Sequence, residues 1–234
     1  MNYKNIVLFH FISFAEAFII KLFINNNIII CNFLKLIDIY SILSLIAVKN
    51  ILFLGGYQIY FWSQKKIFFK KKKVLKLTVV DKYIPALPGM YWIYSPIYYM
   101  IFNLVFFFLQ NYLISVLNVW IMIINVSFFF ILLPTSIPFN FRKKIINIKT
   151  DFFTKIVVNL VHSNDLESNV FPSLHCAFSI YLSFIIYEFY DYFSIIFPFL
   201  IAFACCCCKQ HLIVDIIPGF ALGIFYSLIN IIMN

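Results

Sequence analysis

From residue 90 onward the chain is a succession of apolar runs, 90–110, 112–133, 173–189, 194–208 and 211–230, each near the length of a bilayer crossing. A hydrocarbon core takes about 20 helical residues. A backbone inside it must satisfy its own hydrogen bonds, which leaves helices as the solution for runs of this kind. The run at 194–208 is short unless its flanks contribute. With 64% hydrophobic and 12% charged residues among 234, the chain has more apolar surface than a soluble domain could hide. The expected fold class is all-α: a polytopic membrane bundle of six core transmembrane helices, with room for an extra N-terminal helix. Residues 1–62 read as N-terminal membrane segments and 63–234 as a membrane catalytic domain. The chain is expected to be integral and multi-pass, with no cleaved signal peptide, because no small-residue cleavage site follows the first apolar run.

The N-terminal count stays open. Residues 5–24 are apolar but carry Glu16 and Lys21, and 39–62 carry Lys49 and Gly55-Gly56. One span, two, or one with an interfacial helix all fit. Phe (31 residues), Ile, Asn and Lys are abundant, as in an AT-rich coding sequence, so a single Phe or Lys carries little weight. The run Cys205 to Cys208 steps about 100° per residue around a helix and cannot converge on one metal. It reads as small polarizable filler, with lipidation as the alternative.

Lys65, Lys66, Lys70, Lys71, Lys72, Lys73 and Lys76 crowd one short stretch, an exposed loop suited to anionic headgroups rather than to nucleic acid. Asp81 to Gly89 holds two prolines and reads as an interfacial turn. Tyr91, Trp92, Tyr94, Tyr98 and Tyr99 then resemble an aromatic belt. The long polar loop 134–171 carries Arg142, and its middle, Asp151 to Leu160, has helical periodicity and is expected at the surface.

Against this background Lys209-Gln210-His211-Leu212-Ile213-Val214-Asp215 needs a reason, because ionisable groups at membrane depth are expensive. His211 and Asp215 are one helical turn apart, so the carboxylate can accept from one ring nitrogen and fix the tautomer. Phe171-Pro172-Ser173-Leu174-His175 sets a second histidine at another helix start. Alternating helix directions bring Arg142, Ser173, His175, Lys209 and His211 to one membrane face. Together they make an anion site with a nucleophile and an acid, and two helix N-termini that favour a phosphate.

Pro172-Ser173-Leu174-His175 followed by Lys209-Gln210-His211 and Asp215 resembles the type 2 phosphatidic acid phosphatase superfamily. The likeness is greatest to the branch of inositol phosphorylceramide synthase, the aureobasidin target, and its bacterial relatives. Asp81 to Pro88 with the tyrosines after it, and Pro134-Thr135-Ser136 leading to Arg142, resemble that branch as well. The resemblance spans about residues 80–223. It implies His211 as the nucleophile of a phosphohistidine intermediate, Asp215 as its orienting carboxylate, and His175 as the acid for the leaving oxygen. It further implies Arg142, Ser173 and Lys209 as phosphate ligands. The expected activity is that of a lipid phosphatase or phosphotransferase with no metal and no cofactor, since Arg and Lys supply the positive charge. Its partners are a membrane lipid phosphate and, for transfer, an alcohol acceptor. The chain departs from the pattern at Thr135, where Lys is usual, at Lys143 in place of Pro, at Ala204-Cys205 in place of Ser-Arg, and at Leu174 in place of Gly.

Three other readings stand beside this one: a transporter or channel lined by the buried polar groups, a metal site of His175, His211 and Asp215, and an inactive relic of the enzyme family. Two arguments about orientation also conflict. The resemblance implies an extracytoplasmic or luminal site. Yet eight cations at 63–90, five at 134–171 and Lys209 put 14 of the 18 Lys and Arg on the site side, which the positive-inside tendency assigns to the cytoplasm.

Overall fold

The computed structural model describes residues 59–64, 72–99, 101, 112–164 and 170–233. The apolar run at 5–24, most of that at 39–62, most of the lysine-rich stretch and the Gln110-Asn111 turn lie outside the described residues. After a helical turn at 59–64 come β1 (Lys73–Val74), α1 (Val79–Tyr83), the helical segment α2 (88–99) and α3 (Tyr112–Leu132). Then follow β2 (Thr135–Ser136), α4 (Phe139–Ile146), α5 (Phe152–Asn164), α6 (Leu174–Cys207) and α7 (Ile213–Met233). Among the described residues the fold is all-α apart from one short parallel ladder, in which Lys73 faces Thr135 and Val74 faces Ser136. That ladder fastens the end of the lysine-rich stretch to the start of the loop carrying Arg142.

Helix α6 has 34 residues, but it is not straight. The Tyr98 ring stands 5.1 Å from His175 and 6.5 Å from Phe197, and along a straight helix those two residues would be ~33 Å apart. The two halves therefore double back as a helical hairpin. Asp191 marks the reversal with a φ of 26°, a left-handed conformation that Asp tolerates better than most residues. This is where the sequence separates the runs 173–189 and 194–208.

Helix α7 runs beside the first half of the hairpin at very short range. A Cβ on Gly219 would come within 2.5 Å of the Ser173 carbonyl oxygen, and one on Gly223 within 2.7 Å of Ile180 Cβ. Glycines four residues apart thus let two backbones touch, the usual way apolar helices pack where burial from water supplies no drive. Deeper in the bundle the Asn230 Oδ1 accepts from Ser115 Oγ, Asn118 Nδ2 and Tyr181 Oη at 3.0–3.3 Å, tying α3, α6 and α7 together. Cys205, Cys206 and Cys208 are buried in the apolar core with Met122, Phe130 and Phe178, as expected of filler.

Among the described residues one helix, Ile213–Met233, is long and apolar enough to cross a membrane, with a mean hydropathy of 2.0 over its most apolar stretch. Leu117–Leu132 and the two halves of the hairpin are apolar but shorter. Two local expectations change. The stretch read as an irregular turn opens with a helical turn, because Thr78 and Asp81 cap each other reciprocally at its start. The described part of the loop 134–171 contains two helices: α4, for which the sequence gives no expectation, and α5, which matches the periodicity of Asp151 to Leu160. Asp151 accepts from Thr154 N at 2.9 Å and so starts α5.

Candidate active site

The hairpin brings both ends of α6 to one place, and α7 begins there. Its C-terminus closes in a Schellman turn, with Lys209 N bonded to the Cys206 carbonyl and Gln210 N to that of Cys205, both 3.1 Å. Lys209 takes the left-handed position with φ 58°, where glycine is usual and a lysine costs roughly 1 kcal/mol. The chain then crosses His211 and Leu212 into α7.

His211 Nδ1 lies 3.0 Å from Asp215 Oδ2. A carboxylate can only accept, so Nδ1 carries the proton and the lone pair falls on Nε2. The second carboxylate oxygen accepts from Leu212 N at 2.7 Å. Asp215 is fully buried and therefore rigidly held. The His175 ring is centred 5.9 Å from that of His211 and lies under Tyr94, 4.2 Å away and nearly parallel. Ser173 donates its N–H to the Asp215 carbonyl at 3.0 Å, and its Oγ caps α6 by accepting from Cys176 N. Ser173, His175, His211 and Asp215 are thus one cluster.

Lys209 and Arg142 are centred differently. Lys209 Nζ donates to the Ile84 carbonyl at 2.6 Å and stands 4.6 Å over the Phe141 ring. Burial holds its pKa below the usual lysine value, with nearby Asp81 opposing. Arg142, next to Phe141 on α4, is 2% exposed. Lys209 thus stands over Phe141, and Arg142 is the buried residue that follows Phe141 in α4.

Two corrections concern the site, and a third point bears on the rival metal reading. The sequence suggests that the α7 N-terminus seats a phosphate, but two carboxylates already fill it: Leu212 N donates to Asp215 and Ile213 N to Asp81 Oδ1, at 2.9 Å. The tyrosines read as an aromatic belt point inward instead, since Tyr91, Tyr94 and Tyr98 are all buried. Their spacing of three and four puts them on one helix face, and a π-helical turn at Ile93–Ile97 around Pro96, which lacks an N–H to give, aims that face at His175. Finally, among the described residues no three His, Cys, Asp or Glu side chains converge as metal ligands would. Asp215 is committed to His211 and to the backbone.

Tyr91 and Gln210 join the site without having been singled out for it. The Tyr91 hydroxyl donates to the Cys208 carbonyl at 3.1 Å, receives Gln210 Nε2 at 2.5 Å and meets His162 Nε2 at 2.8 Å. One O–H donor and two lone pairs are then all used, so His162 Nε2 must bear a proton. Tyr91 is thus held from three sides, and its bond from Gln210 ties it to the residue next to the nucleophile candidate.

Residues 65–229 match the PAP2 superfamily. No curated protein and no solved structure matches the chain. A match over this much of the sequence, on top of two histidines and an orienting carboxylate gathered where three helix ends meet, identifies the chain as a member of the PAP2 superfamily, the type 2 phosphatidic acid phosphatases and related phosphotransferases.

Proposed function

We propose that the protein is an integral-membrane, metal-independent phosphatase or phosphotransferase that acts on a lipid phosphate through a phosphohistidine at His211. Within the superfamily we assign it to the inositol phosphorylceramide synthase-like branch, on the residues from Asp81 to Pro88 and the Leu174 variant of the histidine motif. The observation that carries the reading is the 3.0 Å His211–Asp215 contact with a second imidazole 5.9 Å away. One ring is oriented for attack, and the other is near enough to serve the opposite side of a phosphoryl group.

In the proposed cycle His211 Nε2 attacks phosphorus and the bond to the lipid alkoxide breaks. His175 gives the departing oxygen its proton. Water, or an alcohol acceptor, then attacks the phosphohistidine and returns a proton to His175, which restores both rings. Arg142, Ser173 and Lys209 hold the phosphoryl oxygens. Lysine has three N–H donors, so the bond from Lys209 to Ile84 leaves two for this role. The six-span topology, with the site on the extracytoplasmic or luminal face, belongs to the same proposal.

Purified protein incubated with ³²P-labelled phosphatidic acid and quenched in alkali should yield labelled protein, because phosphohistidine survives base. His211→Gln should lose both the label and turnover, by at least about 10³-fold. Excess chelator should leave the wild-type rate unchanged. Adding inositol-type alcohols would separate transfer from hydrolysis by the product formed. Label that persists in His211→Gln, or turnover abolished by chelator, would falsify the mechanism.

A further inference from the structure

The stretch 207–213, which contains His211, is strapped by the segment Asp81–Leu87, more than 100 residues earlier in the chain. Three hydrogen bonds run antiparallel along it. Leu87 N donates to the Cys207 carbonyl at 3.1 Å, Lys209 Nζ to the Ile84 carbonyl at 2.6 Å, and Ile213 N to Asp81 Oδ1 at 2.9 Å. The contacts fall on both sides of His211, two residues before it and two after.

Asp81 is the built part of this strap. It is 1% exposed, and its other oxygen accepts from Thr78 N and Thr78 Oγ1 at 2.7 and 2.6 Å. Three donors converge on one buried carboxylate, so neither the carboxylate nor the first turn of α7 can shift alone. Removing it would leave the Ile213 N–H buried without an acceptor. It would also free the turn that sets the distance between His211 and Asp215.

We infer that Asp81 is a positioning residue for the nucleophile. It pins the α7 N-terminus so that Asp215 meets His211 Nδ1 and the attacking nitrogen is aimed, without itself touching the phosphate. The inference rests on the proposed function for its kinetic consequence but not for its structural one. The two can therefore be tested apart.

The test uses full-length protein in detergent micelles with ¹⁵N-labelled histidine, His211→Gln assigning the resonance. The His211 ring should show one fixed tautomer with the proton on Nδ1. Asp81→Ala should average the two tautomers, whereas Asp81→Asn, whose side-chain oxygen can still accept from Ile213, should keep the wild-type signal. With dioctanoyl phosphatidic acid, Asp81→Ala should lower kcat roughly 10- to 100-fold, the range for a misaimed reacting group, with KM within about twofold. Asp81→Asn should recover most of kcat. Should Asp81→Ala fail to fold, Thr78→Val, which removes one of the bonds holding Asp81, should give the same pattern in weaker form. An unchanged His211 tautomer in Asp81→Ala or in Thr78→Val would overturn the inference, as would a loss confined to KM or to folded yield. A wild type that turns over nothing and traps no label would instead overturn the proposed function, while the tautomer measurement would still decide the role of Asp81.

Discussion

The two histidines differ in what surrounds them, and the difference fits the roles proposed for them. His211 has a carboxylate on one nitrogen, the arrangement of a base or nucleophile. His175 has the face of Tyr94 and no carboxylate among its described contacts, the surroundings of a ring that gives and regains a proton at its edge. His175→Ala should therefore discriminate between leaving groups. Turnover of a dialkylglycerol phosphate should fall about 10²-fold or more, and that of p-nitrophenyl phosphate, whose phenolate leaves unaided, by much less. Equal loss on both substrates would remove His175 from the acid role. At this scale the sequence was informative wherever partners are neighbours: four residues separate His211 from Asp215, and helix geometry does the rest. It was silent on the pairing of Asp81 with Ile213, 132 residues away. It misled on Tyr91, Tyr94 and Tyr98, because a tyrosine lining a site and one facing headgroups look the same in composition.

Among elements, the contact of α7 with the first half of the hairpin decides the site, since Ser173 and His175 ride on one and His211 and Asp215 on the other. Gly219 sets their spacing. A methyl group there meets the Ser173 backbone rather than a side chain that can swing away, so Gly219→Ala should cost about 1–3 kcal/mol. Because Ser173 is also bonded to Asp215, activity should fall with it. Ala221, on the exposed side of α7, is the control, and Ala221→Leu should leave both thermal midpoint and turnover near wild type. If Gly219→Ala matched that control, the close approach would carry no weight in the site. The hairpin itself was legible, because Asp191 stands where an apolar run should not be interrupted. Helix α4 was not. Eight residues with no strong apolar period give no helical signature, and its inward face is known only once Phe141 and Arg142 are seen buried.

The molecule as a whole poses the question of sidedness, and its burial pattern helps to answer it. Cys176 and Cys205 to Cys208 are all buried free thiols, so they can stay in place when a reporter cysteine is added. The sixth cysteine, Cys31, lies outside the described residues and is the one to replace. With Ser168→Cys in that background, a membrane-impermeant thiol reagent should label intact cells if the site is extracytoplasmic. Labelling only after permeabilisation would mean that the lysine distribution governs orientation. Six spans remain an expectation from the apolar runs; among the described residues one helix has full spanning length and several apolar helices are shorter.

Lys209 has a consequence for anyone who sets out to make this protein more robust. Its left-handed backbone is a position at which stability alone selects glycine. Lys209→Gly should raise the thermal midpoint or leave it unchanged as backbone relief offsets the lost side-chain contacts. The same change removes a buried ammonium that is proposed to hold phosphate oxygens, so turnover should drop by about tenfold or more. A loss of stability together with full activity would show the lysine to be a structural peg instead. A library screened for heat resistance would thus let through the very variant that no longer works, and residue 209 is the one to hold fixed.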